Sequence, residues 1–415
     1  MITLLIIDGF GIGECCDSDI YGDVGSNTYK SVCEVGVHLP NLDSFGLSAI
    51  AGNPAQKIVA SYGKMRELSC GKDTTTGHFE LVGLVTKKPY PVYPNGFPAE
   101  VVAKLEGIFK HKILANKPAS GTQIIEEFGA EHLKTACPIV YTSQDSVLQI
   151  ATHTSIYPKE TLYNLCKQTR DIMVGEHRVA RVIARPFTTE NNKFVRTADR
   201  KDFGLTPEAP TVLNALQNAG VEVVSVGKIF DIFSGYGISR HAQNTHSNIE
   251  VLEGTLANIG KPNSFVFANL VETDMLYGHR NDVLGYKKCL EAIDAFIPKL
   301  IAKMQNGDVL IVTADHGCDP KTPSTDHSRE FVPLMIFTKT AEETQKNAKS
   351  KTVANAELET LEKNNKKEKS YNYEASPIQN GATSATQNTP FSTQNLGAIE
   401  GFSFVADYIK KYYKI

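Results

Sequence analysis

The stretch Ile2-Thr3-Leu4-Leu5-Ile6-Ile7 is followed at once by Asp8-Gly9-Phe10-Gly11. A short apolar run rich in branched side chains is typical of a strand buried on both faces of a parallel sheet. The run 309–313 has the same character and leads to Asp315. Because open α/β sheets bind ligands at the carboxyl ends of their strands, Asp8 and Asp315 are expected to project into one ligand-binding crevice.

Two further apolar runs, 221–226 and 264–271, also predict buried parallel strands. Segments with helical spacing lie between the strands, among them 212–219 and 284–300, where apolar residues recur every three or four positions. Gly220 ends the first of these helices and leads directly into a strand, as expected for an αβ unit. The alternation predicts an α/β fold with a doubly wound core.

The middle of the chain predicts a separate α+β cap domain, residues 92–205, inserted into a core made of residues 1–91 and 206–415. The strands predicted in this domain are 139–142, 147–151 and 179–187. The predicted helices are 99–109, 121–128 and 159–173. Proline-rich stretches lie at both borders of the domain, which is typical of hinges.

Residues 341–395 are rich in Lys, Asn, Thr, Ser, Gln and Glu and contain few large apolar side chains. Such a composition cannot bury enough apolar surface to offset the entropy that is lost on folding. We therefore expect a disordered surface insertion within the core. The ordered chain is expected to resume at Leu396 with a terminal helix through Val405, Ile409 and Tyr413.

Composition and charge narrow the functional class. The 415 residues suffice for two domains, and a formal net charge of −3 gives no indication of a nucleic-acid partner. No apolar run reaches the ~18 residues of a membrane helix, and the first residues lack the basic region of a signal peptide. The eight cysteines include no Cys-x-x-Cys pair, so we expect reduced thiols and a cytoplasmic protein that contacts neither nucleic acid nor membrane.

Three carboxylate–histidine groupings near the end of the chain predict a metal centre. With Asp8 they supply six candidate ligands, namely Asp8, Asp274, His279, Asp315, His316 and His327. Six protein ligands suit two ions, and mixed imidazole and carboxylate ligands suit zinc, manganese or iron better than calcium. Each residue alone has a simpler reading as a helix cap, a core residue or a surface residue, so the prediction rests on the combination.

Two neighbours of these ligands also have candidate roles. Asp326 precedes His327 and is a candidate for orienting its imidazole. Cys318 follows the Asp-His-Gly turn at 315–317, but the simpler interpretation is a small buried hydrophobic residue.

The segment Asp73-Thr74-Thr75-Thr76-Gly77-His78 is the candidate for a nucleophile. An aspartate followed by three threonines is typical of a helix N-terminus, where backbone N–H groups and the helix dipole favour an anion such as phosphate. An ordinary capping threonine fits the same residues. A metal pair nearby would polarise phosphoryl oxygens and activate a hydroxyl between the ions.

The chain resembles the phosphopentomutase family of the alkaline phosphatase superfamily over nearly its whole length. The stretches that carry the resemblance include 7–13, 39–42, 71–80, 96–98, 116–122, 141–147, 181–187, 227–229, 277–280, 313–317 and 325–327. Ala-Asp-His-Gly at 314–317 would indicate only the superfamily, whereas the segments 72–78 and 116–122 are far more specific.

The resemblance implies a role for each candidate residue. Thr74 matches a nucleophile that becomes phosphorylated and bridges two divalent ions, usually Mn²⁺ in this family. The ligands implied for one ion are Asp274, His279 and His327, and those for the other are Asp8, Asp315 and His316. The cap implies sugar-phosphate contacts from Ser143, Asp145 and Arg196, and Lys228 reaches in from the core.

The implied enzyme is an isomerase, an intramolecular phosphotransferase of nucleoside catabolism whose partners are small sugar phosphates. It interconverts the 1-phosphate and 5-phosphate of ribose or deoxyribose through a phosphothreonine and a bisphosphate intermediate, and a bisphosphorylated sugar primes it. Three positions depart from the family pattern: Gly9 stands for Ser, Phe79 for Trp and Glu272 for Asp. None of the three is an implied ligand.

Three alternatives stay open on the sequence alone. A cofactor-independent phosphoglycerate mutase also begins with Asp-Gly-x-Gly, but its serine nucleophile lies in an Asn-Ser-x-x-Gly-His setting, whereas residues 73–78 read Asp-Thr-Thr-Thr-Gly-His. A phosphatase would need water access after phosphoryl transfer. A binding or scaffold protein would have no need for six intact ligands and the threonine.

Overall fold

Two β-sheets organise the chain in a computed structural model that describes residues 1–54, 57–143, 146–242, 245, 247–341 and 393–415. The strands are β1 Ile2–Ile7, β2 Ser61–Arg66, β3 Leu114–Pro118, β4 Ile139–Thr142, β5 Val147–His153, β6 Arg181–Glu190, β7 Lys193–Arg196, β8 Lys201–Gly204, β9 Glu222–Val226, β10 Arg240–His241, β11 Ser264–Leu270, β12 Val309–Thr313, β13 Val332–Thr338 and β14 Asn395–Glu400. The helices are α1 Ser18–Tyr21, α2 Thr28–Cys33, α3 Pro40–Ser44, α4 Leu47–Ile50, α5 Thr74–Leu81, α6 Ala99–Phe109, α7 Gly121–Thr135, α8 Lys159–Ile172, α9 Val212–Asn218, α10 Ile229–Ile232, α11 Asn248–Asn258, α12 Val283–Lys303 and α13 Phe404–Tyr413.

The larger sheet has the strand order β10-β9-β11-β1-β12-β13-β2-β14. Strand β1 lies between β11 and β12 and is parallel to both, with Ile7 beside Leu270 and Ile6 beside Thr313. All six residues of β1 are buried, as their continuous apolar character predicts. The four predicted parallel strands and the doubly wound α/β core are confirmed, so Asp8 and Asp315 reach the same edge of the sheet.

The remaining strands of this sheet were not predicted. Strand β13 is antiparallel to β12, β2 is antiparallel to β13, and β14 extends the edge parallel to β2. The terminal helix expected through Val405, Ile409 and Tyr413 is found as Phe404–Tyr413, whereas the edge strand β14 at residues 395–400 was not predicted. Strand β14 is mostly exposed and so lacks the apolar run that identifies a buried strand.

The predicted insertion 341–395 interrupts the chain between β13 and β14. Residues 342–392 lie outside the described residues, and Asn395 already belongs to β14. Strand β2 lies between β13 and β14. Ile336 of β13 pairs with Ser61 of β2, and Asn395 of β14 pairs with Tyr62, the residue after Ser61. The end of β13 and the start of β14 therefore lie at the same end of β2, two strand spacings apart across the sheet.

The second sheet has the order β3-β4-β5-β6-β7, with β8 also paired to β6. The first half of β6 pairs with β8 and the second half with β7. The predicted strands and helices of this region are found, although α7 extends to Thr135 instead of ending at residue 128. Apolar clusters separate from the core of the larger sheet pack on this sheet. The limits 92–205 of a cap domain stay a prediction. Within the described ranges, no helix combines the length and apolar character needed to cross a membrane.

Candidate metal centre

The first ligand group lies where β1 and β12 end. The ligand atoms of Asp8, Asp315 and His316 all lie within 4.8 Å of one another. His316 Nε2 is 3.4 Å from Asp8 Oδ1 and 3.3 Å from Asp315 Oδ2. The loop after β11 supports the group because Thr273 Oγ1 donates to the carbonyl of Asp8 at 2.6 Å. The pairing of β1 with β12 therefore brings Asp8 close to Asp315 and His316, which lie more than 300 positions later in the sequence.

The second ligand group begins in a π-helical turn, Thr273–Tyr277, which follows β11 and carries Asp274. Asp274 Oδ2 is 3.3 Å from His279 Nε2, and Asp274 Oδ1 is 3.4 Å from His327 Nε2. His316 also lies within 4.8 Å of the Asp274 and His327 ligand atoms, so it stands between the two groups. All six predicted ligands are thus together, but their distances alone do not divide them into two sets of three.

Hydrogen-bonding patterns test whether these side chains fit metal ions. Asp8 Oδ1, Asp274 Oδ1 and Asp315 Oδ2 are buried and make no aligned hydrogen bond within the part of the chain that the structure describes, although a histidine nitrogen lies within 3.4 Å of each. A buried carboxylate oxygen without a partner is strongly unfavourable unless a cation is nearby. His279 Nδ1 faces the carbonyl of Thr325 at 2.6 Å, so Nδ1 donates to that carbonyl and Nε2 is the ring nitrogen that faces Asp274. These donor sets fit divalent cations.

Electrostatic coupling at the centre is strong. Burial raises the pKa of Asp8, and the Asp315 carboxylate adds to that effect. Burial opposes ionisation of Asp274 as well, but His327 and His279 outweigh it and hold the pKa of Asp274 well below its ordinary value. Three carboxylates in one buried volume therefore depend on positive charge close by.

The predicted nucleophile lies at the start of α5. Asp73 caps this helix by accepting from the N–H groups of Thr75 at 2.9 Å and Thr76 at 3.3 Å. These two donors are consequently taken by the capping carboxylate. Thr76 Oγ1 donates to the carbonyl of Asp73 at 2.8 Å. Thr74 Oγ1 lies 3.3 Å from His316 Nε2, which places its hydroxyl beside the ligands.

The structure corrects the prediction for Asp326 and confirms that Cys318 is buried. Asp326 Oδ1 accepts from the backbone N–H of His327 at 2.9 Å, and Asp326 Oδ2 pairs with Lys72 at 3.2 Å. These contacts hold the backbone of His327, whereas the sequence predicted an effect on the imidazole. Cys318 is buried, as expected, but its Sγ also lies within 4.8 Å of the Asp274 and His279 ligand atoms.

The predicted substrate contacts are only partly described. Asp145 lies outside the described residues, and Ser143 follows β4 with a half-buried side chain. Arg196 is the exposed last residue of β7. Its guanidinium lies beside Gly121 at the start of α7 and beside the Tyr141 hydroxyl.

Lys228 follows β9 and connects the metal centre with the second sheet. Its Nζ lies 3.5 Å from Met275 Sδ, in the residue after Asp274. Its side chain keeps an exposed surface, yet the crowded cleft desolvates the ammonium and, with the Arg200 guanidinium, lowers the pKa of Lys228. Arg200 binds Asp202 through two hydrogen bonds of 2.7 and 2.6 Å. Sequence reasoning missed Arg200 and Asp202 because neither belongs to a catalytic pattern.

Comparison with known proteins identifies relatives for most of the chain. Residues 1–366 match the family model described as the metalloenzyme superfamily. The chain is 50% identical over 343 residues to a phosphopentomutase of Carboxydothermus hydrogenoformans, a match that covers 81% of this chain and 88% of the relative. It is 48% identical over 350 residues to the phosphopentomutase of Caldanaerobacter subterraneus subsp. tengcongensis, covering 82% and 88%. A phosphopentomutase of Acetivibrio thermocellus is 48% identical over 343 residues, covering 81% and 88%.

Proposed function

The chain belongs to the phosphopentomutase family of the metalloenzyme superfamily, and we propose that Thr74 and the six clustered ligands perform its reaction. The enzyme is an isomerase that interconverts the 1-phosphate and 5-phosphate of ribose or deoxyribose. The observation that carries the residue assignment is the 3.3 Å contact between Thr74 Oγ1 and His316 Nε2. Among the three consecutive threonines, Thr74 has this contact, whereas Thr76 turns its hydroxyl to the Asp73 carbonyl.

Two divalent cations fit the centre, and we assign Mn²⁺ because it is the usual metal of the family that the chain resembles; the mixed imidazole and carboxylate ligands suit zinc and iron as well. Asp274, His279 and His327 would hold one ion, and Asp8, Asp315 and His316 would hold the other. When bound, the ions offset charge on the phosphoryl oxygens and lower the pKa of a nearby hydroxyl. The buried oxygens of Asp8, Asp274 and Asp315 that make no aligned hydrogen bond among the described residues support this assignment.

Thr74 exchanges a phosphoryl group with the sugar. In the forward direction, the phosphate ester on Thr74 Oγ1 breaks as a P–O bond forms to the free C5 hydroxyl of ribose 1-phosphate, and the hydroxyl proton passes to the leaving Thr74 oxygen. The product is a 1,5-bisphosphate. After the sugar turns, Thr74 attacks the phosphate on C1, which releases ribose 5-phosphate and restores phosphothreonine. A bisphosphorylated sugar primes the unphosphorylated enzyme in the same way. The positive end of α5 favours negative charge at Thr74 in each step.

Residues 92–205 act in this proposal as a cap that keeps the bisphosphate bound while it turns. Ser143, Asp145 and Arg196 contact the sugar phosphate from the cap, and Lys228 does so from the core. The support is electrostatic: Lys228 lies near Asp8 and also near Arg200 and Asp202, so charged groups extend from the metal centre toward the second sheet. Arg196→Ala is expected to raise the KM for ribose 1-phosphate while Thr74 can still be phosphorylated.

The enzyme acts on small sugar phosphates. We place it in the cytoplasm because all eight cysteines are free thiols.

Peptide mass spectrometry tests the nucleophile. Wild-type enzyme incubated with Mn²⁺ and a bisphosphorylated sugar should carry one phosphate on Thr74. Thr74→Ala should keep its fold but lose formation of ribose 5-phosphate, whereas Thr74→Ser should retain part of the activity because the hydroxyl is kept.

Thr75→Ala is the matched control, since Thr75 has the same side chain one position later. It should keep both the phosphate on Thr74 and the activity. Phosphate on Thr76, or a fully active Thr74→Ala, would refute the assignment.

A further inference from the structure

Gly77 and His78 are the residues of α5 that contact the loop containing Asp315. A Cβ atom at Gly77 would lie 2.1 Å from the backbone oxygen of Asp315, so only glycine allows α5 this close approach. One residue later, the completely buried His78 directs its Nδ1 to two oxygens. These are the carbonyl of Thr74 at 2.8 Å and Asp315 Oδ2 at 3.1 Å.

The surroundings of His78 determine which ring nitrogen carries the proton. A carbonyl and a carboxylate are both acceptors, so Nδ1 between them must be the donor. His78 Nε2 is buried without a hydrogen-bond partner among the described residues. The ring stacks on Phe267 at 5.9 Å between centroids, which limits its rotation. A buried ring nitrogen without a hydrogen bond is unfavourable, so the contacts of Nδ1 must account for a histidine at this position.

Contact with the Asp315 carboxylate accounts for the orientation of the His78 ring. Asp315 Oδ1 accepts from the N–H of Gly9 at 3.2 Å. Its Oδ2 has no fully aligned hydrogen bond and faces both His78 Nδ1 and His316 Nε2. With Gly9 on one oxygen and His78 on the other, rotation of the carboxylate is restricted from both sides. The same His78 proton also contacts the backbone of Thr74.

We propose that His78 is a positioning residue that aligns the Asp315 carboxylate with Thr74 through its Nδ1–H. This inference rests on the proposed roles of Thr74 and Asp315, and it assigns a purpose to the Gly-His pair that follows the three threonines. His78 touches neither the phosphoryl group nor the sugar; it fixes where a ligand and the nucleophile stand relative to each other. A partner of this kind typically affects metal affinity or activity 10- to 100-fold, as an order of magnitude.

Three substitutions separate positioning from packing. The amide of His78→Asn reaches the place of Nδ1, the amide of His78→Gln reaches the place of Nε2, and His78→Phe fills the volume without a donor. Mn²⁺ binding is titrated by electron paramagnetic resonance, and phosphate on Thr74 is measured after priming. We expect His78→Asn to stay within a few-fold of wild type. His78→Gln and His78→Phe should lose about 10- to 100-fold in Mn²⁺ affinity and in the rate of Thr74 phosphorylation.

The same changes at His132 provide the control. His132 is also completely buried, and its Nδ1 faces the carbonyl of Cys137 at 2.7 Å, but it lies in the second sheet's packing. His132→Gln should lower the unfolding free energy and leave Mn²⁺ affinity unchanged. Equal losses in His78→Asn and His78→Gln, or unchanged Mn²⁺ affinity in all three His78 variants, would overturn the proposal. Absence of phosphothreonine in the wild-type enzyme would instead contradict the proposed function.

Discussion

Replacement of Gly77 by alanine tests how closely α5 must approach the metal ligands. The added Cβ would lie 2.1 Å from the Asp315 backbone oxygen and 2.8 Å from its carbonyl carbon. A van der Waals contact between carbon and oxygen needs well over 3 Å, so α5 and the Asp315 loop must separate by about 1 Å. A displacement of ~1 Å in a catalytic arrangement reduces the rate by roughly 100-fold. That factor corresponds to about 2.7 kcal/mol in the activation free energy.

The assay is the kcat/KM for formation of ribose 5-phosphate from ribose 1-phosphate with Mn²⁺ and a priming bisphosphate. Urea unfolding of the same samples reports stability, which should fall by about 1–3 kcal/mol because the substitution overpacks a buried contact. Gly107→Ala is the control, since Gly107 also lies in a helix, α6, and a Cβ there meets no atom within 4 Å. It should be slightly more stable than wild type and fully active. A Gly77→Ala enzyme with kcat/KM within threefold of wild type would refute the reasoning, even if its stability fell.

Three further predictions concern metal, pH and the segment outside the described residues. His327→Ala should lower Mn²⁺ content from about two ions to about one per chain and abolish transfer, measured by elemental analysis; two ions with unchanged activity would contradict its role as a ligand. Burial raises the pKa of Glu330 to about 6, above its ordinary value, so its contribution to stability is full below about pH 4.5 and is lost as pH rises through 6. The loss amounts to about 2 kcal/mol, and Glu330→Gln should flatten the unfolding free energy over that pH range; an unchanged slope would contradict the prediction. Replacement of 342–392 by a short Gly/Ser linker should leave activity within a few-fold, because β13 ends and β14 begins at the same end of β2; a folded deletion variant that binds Mn²⁺ but lacks transfer would show that the segment serves the reaction.

The central strands were predictable because they are buried on both sides. The runs that became β1, β11 and β12 are continuously apolar, and burial of every residue in them confirms the reason. Strands β2 and β14 escaped detection because much of their surface is exposed or half-buried. Their strand character comes from pairing with a neighbour that the sequence does not reveal.

The candidate site was likewise predictable only in part. Local patterns such as Asp315-His316 and the three threonines identified the candidate ligands and nucleophile, and the structure brings these residues together. The role of His78 could not be predicted because its second acceptor, Asp315, is more than 200 residues away in sequence. Asp326 was misjudged for the opposite reason: adjacency to His327 suggested an effect on the ring, whereas the backbone N–H is the group within reach.

The central place of β1 also has a consequence for the order of folding during synthesis. Both neighbours of β1, β11 and β12, are made roughly 300 residues after β1 itself. At the usual rate of synthesis, the β1 segment waits on the order of 15–60 s before its partners exist. The second sheet, with all its strands between residues 114 and 204, can pair during that interval. We therefore expect the metal centre to form late in folding, and slow synthesis of the last third to expose the apolar β1 segment to aggregation.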